Sequence, residues 1–203
     1  GNYSRADLVD EYQDSLLQAF DLQHGARQVV VDAGNGSLWQ LAPALLEARG
    51  LRVERLFCTP DGTFPNRDPN PAQATNLLDL RQRILATDAE LGIAYDGDGD
   101  RVIFVDGRGR VQPADRTLVL FVRHLLPGAP GAGVVYDLKS SSIVAEEVEA
   151  AGGVPLMERS GYSFIKRRLL AEEALLAGEL SGHYFFQALG GDDALYATLL
   201  LLQ

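Results

Sequence analysis

The sequence predicts an α/β protein made of two similar α/β units with mixed, largely parallel sheets, produced by an internal duplication. Three observations carry that prediction. Short β-branched or apolar runs alternate with helix-period segments along the whole chain. The segment VVVDAGNGS at 29–37 returns as VVYDLKSSS at 134–142, with Asp32 falling on Asp137. Further on, AYDGDGD at 94–100 returns as AGELSGH at 177–183. A repeat this long is a duplicated domain, not a solenoid unit. The units are expected at 1–110 and 111–203, meeting near residues 109–113. Strand–helix–strand crossovers make neighbouring strands parallel, and such sheets bind ligands at the carboxyl ends of their strands.

In the first unit, residues 7–20 have helical spacing, with Leu8, Tyr12, Leu16 and Phe20 on one face. Residues 29–33 form a short β-branched run ending at Gly34. Residues 38–48 read as a helix stopped by Gly50, and 53–58 as a strand. Residues 60–71 hold four prolines, one glycine and two asparagines, the composition of a loop. A helix is expected at 77–85 and a strand at 91–95, leading into Asp-Gly-Asp-Gly-Asp. Residues 102–105 and those around Val111 flank DGRGR as a hairpin. Residues 116–126, just past the boundary of the first unit, form a helix closed by Pro127 and Gly128. In the second unit strands are expected at 134–136, 154–157, 175–177 and 184–187, with helices at 143–151, 164–170 and 193–202.

The balance of residues bounds the partners. Hydrophobic residues make up 46% and charged residues 23%, enough apolar material for a packed core. A net charge of −10 repels phosphate backbones and anionic lipid, so neither nucleic acid nor a membrane surface is expected as a partner. A small phosphorylated ligand needs only local positive groups or a metal. Cys58 is the single cysteine, which rules out an intrachain disulfide and fits a reducing compartment. The N-terminal residues lack the basic flank and apolar core of a signal peptide, and no apolar run is long enough for a membrane-spanning helix. A cytoplasmic protein is expected.

DGDGDR at 96–101 carries the strongest chemistry. Asp96, Asp98 and Asp100 alternate with Gly97 and Gly99, which let the backbone curl until the carboxylates converge. Carboxylates held so close raise one another's pKa, and a divalent cation relieves the repulsion. An all-oxygen ligand set favours a hard ion such as Mg²⁺. A calcium EF-hand fails, because Arg101 stands where the loop needs glycine and Gly107 where it needs glutamate. Arg101 can pair with the carboxylates or orient a phosphoryl oxygen. In the matching loop of the second unit, Glu179 replaces Asp96, Ser181 replaces Asp98 and His183 replaces Asp100. That set is a poor metal site. A carboxylate, a hydroxyl and an imidazole on a glycine-hinged turn suit sugar hydroxyls instead.

DGDGDR followed by GELSGH resembles the α-D-phosphohexomutase superfamily. The likeness covers essentially the whole chain, with VVVDAGNGS, PDGTFPNRDPNP, YDLKSS and GYSFIK as further landmarks in the same order. That family has four domains, and this chain looks like the second and third, so flanking domains of the same chain are missing. The resemblance implies interconversion of hexose 1-phosphate and hexose 6-phosphate, of mannose or glucose, through a bisphosphate intermediate and an enzyme phosphoserine. It implies Mg²⁺ on Asp96, Asp98 and Asp100, with Arg101 approaching the phosphoserine or the substrate phosphate. Glu179, Ser181 and His183 would bind sugar hydroxyls. Lys139 would be a general acid/base or phosphate contact.

Tyr162 departs from the pattern by standing where the family often has the histidine of GHSFIK. It can hydrogen-bond but is not cationic near neutral pH. GELSGH is closer to the GEMSGH form of phosphomannomutase/phosphoglucomutases than to the GEQSGH of phosphoglucosamine mutases, which stay the near alternative. No T-A-S-H-N-P-like serine loop occurs, and residues 140–142 are not a substitute for it. The chain alone is therefore expected to be inactive. From other classes, a non-catalytic sugar-phosphate or Mg²⁺-binding module and a calcium-binding α/β protein stay open.

Other signals are weaker. The GNG at 34–36 fails as a dinucleotide fingerprint, because Trp39 stands where the third glycine is needed. His24 reads as a surface residue, His124 as a partly buried helix residue, and Trp39 as core. Arg81, Arg83, Arg167 and Arg168 read as solvated helix faces.

Overall fold

The computed structural model of the chain describes residues 3–4, 6–22 and 27–203; His24 lies outside them. The first half contains α1 (Val9–Ala19), β1 (Gln28–Asp32), α2 (Leu41–Ala48), β2 (Arg52–Leu56), α3 (Leu78–Thr87), β3 (Leu91–Tyr95), β4 (Val102–Asp106) and β5 (Val111–Gln112). The second contains α4 (Ala114–Leu125), β6 (Gly133–Asp137), α5 (Ile143–Ala150), β7 (Val154–Glu158), α6 (Tyr162–Ala171), β8 (Leu176–Gly178), β9 (Tyr184–Phe186), β10 (Gly191–Asp192) and α7 (Ala194–Leu202).

Each half is a five-stranded mixed sheet, and the two have one topology. The first runs β2-β1-β3-β4-β5 and the second, read the same way, β7-β6-β8-β9-β10. The strands β1 and β6, second in each order, pair parallel to both neighbours, while β3–β4 and β8–β9 are antiparallel. β1 is buried along nearly its whole length, as a parallel strand covered on both faces must be. Its run of three valines supplies that burial. Both loops singled out by sequence lie at the carboxyl ends of the third strands, β3 and β8.

Differences from the expected elements have local causes. The helix expected from residue 38 begins at Leu41, after a 3-10 turn at Ser37–Trp39. Pro43 has no amide to bond back to residue 39, so it belongs in the first turn. Val111 and Gln112 hydrogen-bond to β4 and complete the first sheet. We therefore place the division between the units at Pro113 rather than between residues 110 and 111.

One apolar core runs through both halves, from Val29–Val31 and Ile93 to Leu118, Phe121, Tyr184 and Leu199. A smaller cluster under α6 holds Val135, Ile165, Leu169 and Phe185. α4 and α7 both contact β4, α4 also contacts β8, and the two helices touch each other, so they form the joint between the sheets. Phe121 stands edge-on to Tyr184 with ring centroids 5.1 Å apart. Across the joint, the Tyr95 and Thr198 hydroxyls are 2.8 Å apart and fully buried. Asp193 caps α7 by accepting from the Tyr196 amide at 2.9 Å, and also accepts from the Tyr12 hydroxyl of α1.

Asp193→Ala removes the cap, worth about 1 kcal/mol, and orphans the Tyr12 hydroxyl, worth about 1–3 kcal/mol more. A loss of about 2–4 kcal/mol is expected in urea denaturation. Asp193→Asn keeps an acceptor without a buried charge and is expected to stay near the parent chain. Among the described residues, no helix is long and apolar enough to cross a membrane.

Candidate active site

The loop at 96–101 folds around Asp96. Its carboxylate is fully buried and accepts from the amides of Gly99 (2.9 Å) and Arg101 (3.2 Å) and from Arg101 Nε (2.8 Å). Gly99 has φ +86°, and a Cβ there would stand 2.7 Å from Leu38, so only glycine fits the tightest point of the curl. Asp96, Asp98 and Asp100 each offer an oxygen, all within 4.8 Å of one another. Asp96 beside it holds the Asp98 carboxyl above the usual carboxylate range, with partial burial acting the same way. One oxygen of Asp100 is buried without a hydrogen-bond partner. Three converging carboxylates, one with an orphaned oxygen, fit a hard divalent cation such as Mg²⁺.

The loop is braced by residues that sequence reasoning did not single out. Ser37 donates its amide to Gly97 O (2.9 Å) and its hydroxyl to Asp98 O (2.7 Å). A Cβ on Gly36 would lie 2.6 Å from Gly97 O, so the GNGS turn serves as a backing plate for the aspartates. Arg67, in the proline-rich loop, is almost wholly buried. Its Nε donates to both oxygens of Asp32 (2.8 and 3.1 Å) and its Nη2 to Tyr95 O (2.6 Å), the carbonyl immediately before the aspartates. Asn70 of the same loop accepts from Arg101 Nη1 at 3.3 Å. In the second half, which lacks this loop, the matching Asp137 accepts instead from the hydroxyls of Ser140 (2.6 Å) and Ser160 (3.1 Å). The signal missed was an arginine inside a proline-rich stretch, which reads as an ordinary surface residue.

The second loop meets the first directly. Arg101 and His183 form an antiparallel bridge, and the Val102 amide donates to Gly182 O at 3.1 Å. This changes the match between the loops. Asp96 and Glu179 correspond, since each donates its amide to the last residue before the returning strand, Arg101 O and His183 O respectively. Because the first loop is one residue longer, His183 corresponds to Arg101 rather than to Asp100. Glu179 is buried and accepts from the Gly161 amide at 2.6 Å through one oxygen. The Ser181 hydroxyl is buried without a partner. His183 Nδ1 lies 2.7 Å from Asp192 Oδ2 and 3.8 Å from Asp100 Oδ1. Burial works against its charge, but the Asp192 hydrogen bond and the charges of Asp100 and Glu179 outweigh it and raise its pKa.

Tyr162 opens α6 with its ring 5.7 Å from that of His183, and its hydroxyl accepts from Lys166 Nζ at 3.0 Å. Positive charge thus reaches this position through Lys166, one helical turn on, which sequence reasoning passed over. Arg101 points into the aspartates: Nε is 2.8 Å from Asp96 and 3.6 Å from Asp100. Lys139 is exposed in the turn after β6 and makes no hydrogen bond or ion pair among the described residues. The structure brings the other candidate residues together but leaves this one apart, at the same carboxyl edge of the second sheet as Glu179. His124 is exposed rather than partly buried, since its place on α4 faces away from the sheets, and Trp39 is half-buried outside the core.

Fold and site together define a duplicated α/β unit that presents a carboxylate loop from one half beside a polar, glycine-hinged loop from the other. The model of phosphoglucomutase/phosphomannomutase α/β/α domain II matches residues 10–109, and that of domain III matches residues 113–203. The chain belongs to the phosphoglucomutase/phosphomannomutase family. It is 40% identical over 209 residues to a phosphomannomutase/phosphoglucomutase of Pseudomonas syringae pv. tomato, covering 100% of this chain and 44% of that protein. It is 40% identical over 205 residues to a phosphoglucomutase of Neisseria meningitidis serogroup A, with the same coverage of 100% and 44%. A crystal structure of a family protein from Burkholderia thailandensis superposes with a TM-score of 0.95 at 42% identity, over 100% of this chain and 44% of that one. The chain thus spans less than half the length of these relatives.

Proposed function

We propose that the chain is the metal- and sugar-binding middle of a cytoplasmic phosphohexomutase that interconverts hexose 1-phosphates and hexose 6-phosphates of the mannose or glucose type. The observation that carries this reading is the Arg101–His183 bridge, which sets the aspartate loop and the Glu179–His183 loop edge to edge. A cation and a sugar held there would be neighbours. Asp96, Asp98 and Asp100 would hold Mg²⁺, which when bound would neutralise charge developing on a transferring phosphoryl group. Arg101, already anchored on Asp96, has donors left for a phosphoryl oxygen. Glu179 keeps one oxygen free of its bond to Gly161, and Ser181 keeps its hydroxyl, so both can meet sugar hydroxyls. Such groups read hydroxyls rather than phosphate, which allows a bisphosphate to bind in either orientation. Lys139 would join the site as an acid/base or phosphate contact, and Tyr162 with Lys166 would contact a phosphate. The phosphoryl donor, a phosphoserine, would come from the flanking part of the longer protein, so this chain alone is expected to show no mutase turnover.

The test is an amide NMR titration of the chain with Mg²⁺ and then mannose 1-phosphate. Shifts at residues 96–101 with metal, followed by shifts at 179–183 with sugar, are expected. Sugar shifts with no metal response favour a sugar-phosphate-binding module without the chemistry. Silence at both loops overturns the proposal.

A further inference from the structure

Asp192 has no counterpart in the first half. β10 pairs with β9 through Gly191–Phe186 and Asp192–Phe185, and β5 pairs with β4 through Gln112–Phe104. Ile103 and Phe185 stand opposite the matching Ala94 and Ala177. Carrying the first register one residue further puts Pro113 where Asp192 stands. The fold accepts a proline there, so the carboxylate is not needed to build the sheet.

Its surroundings are specific. The Asp192 side chain is 7% exposed and that of His183 13%, and the two are 2.7 Å apart. Among the described residues, this is the one side-chain hydrogen bond that Asp192 makes. A carboxylate buried this far needs a donor, and an ionised one can only accept, so Nδ1 of His183 must carry the proton. Asp100 also faces Nδ1, at 3.8 Å, and reinforces that choice. In a neutral imidazole the lone pair then falls on Nε2, which has no hydrogen-bond partner among the described residues. Rings of Tyr162 and Phe185 flank the imidazole with centroids 5.7 and 5.9 Å away and limit its rotation.

We infer that Asp192 is a positioning residue: it locks His183 as the Nδ1–H tautomer, so that Nε2 offers its lone pair to a sugar hydroxyl. The inference rests on the proposed function for the identity of the ligand, but not for the state of the ring. An aspartate behind a histidine does the same in hydrolytic and metal sites of other proteins, where changing it to asparagine keeps the shape and disturbs the tautomer.

The test is ¹⁵N–¹H NMR of the imidazole in the 203-residue chain without added metal, at a pH where the ring is neutral. The parent chain is expected to show a protonated Nδ1 and a lone-pair Nε2. A predominantly Nε2–H ring overturns the inference without any variant. Asp192→Asn, checked for folding by its amide spectrum, is expected to shift the ring toward Nε2–H and to weaken mannose 1-phosphate binding about 10-fold. An unchanged tautomer in Asp192→Asn overturns the inference. So does unchanged affinity in a variant whose tautomer has shifted. If the parent chain binds no hexose phosphate, the proposed function fails, and the tautomer result alone still decides whether Asp192 controls His183.

Discussion

Replacing Arg67 with leucine is expected to lower the stability of the chain by about 3–5 kcal/mol, the usual result of removing one partner from a buried ion pair. Asp32 is fully buried and Arg67 nearly so, and the guanidinium also binds Tyr95 O and Asp68 O. Leucine fills much of the space but leaves the Asp32 carboxylate with the Gly34 amide as its remaining donor, at 2.8 Å. Burial is the largest influence on the Asp32 carboxyl and pushes its pKa up, while Arg67 is the main group pulling it down.

Without Arg67 the folded-state pKa therefore lies well above the unfolded value. The variant keeps its proton contribution below the unfolded pKa and loses it as the pH rises through the folded one. Urea denaturation should thus find a smaller deficit in mild acid than at neutral pH. Changing both Asp32 and Arg67 to leucine should cost less than the two single changes added together, because no orphaned charge is left. A loss below about 1 kcal/mol in Arg67→Leu, independent of pH, would show that the pair does not hold the proline-rich loop in place.

Asp98→Asn is expected to weaken Mg²⁺ binding by at least about 100-fold, beyond the cost of removing a hydrogen-bonding partner from behind a metal ligand. The same substitution should leave the metal-free fold as stable as before, within about 0.5 kcal/mol, or slightly more so. Asp98 is exposed, and Ser37 braces this position through the backbone carbonyl, which the change does not touch. What disappears is the crowding of two carboxyls: a side-chain hydrogen bond with Asp96 is the first cause of the raised Asp98 pKa, followed by partial burial and repulsion from Asp96. The pairing of lost affinity with retained stability separates a ligand from a structural aspartate. Asp96 could not be tested this way, because it also anchors Gly99 and Arg101. Calorimetric Mg²⁺ titration and thermal melting of the two chains decide the matter. An unchanged Mg²⁺ affinity would remove Asp98 from the ligand set.

Much of the fold was legible because its signals are local. The three-valine run of β1 and its echo in β6 announce buried parallel strands, and the strand–helix alternation repeats in the same order. The aspartate loop was legible for the same reason: alternating carboxylates and glycines are a chemical statement within six residues. The polar loop at 179–183 could be matched to it in sequence, but only up to a point. The sequences align His183 with Asp100, whereas strand pairing sets it against Arg101, since a one-residue difference in loop length shows only once β4 and β9 are in register.

Sequence alone therefore determined the class of fold, the duplication and the two chemistry-bearing loops, because periodicity and residue type report what each segment buries and which atoms it carries. Tertiary structure alone decided which groups meet. It brought Arg67 onto Asp32, 35 residues away, folded Ser37 behind the aspartates, set Asp192 against His183 and left Lys139 in solvent. Those pairings depend on strand register and on how loops close over the sheet edge, and a buried charge selects its partner by distance in space rather than by position in the chain.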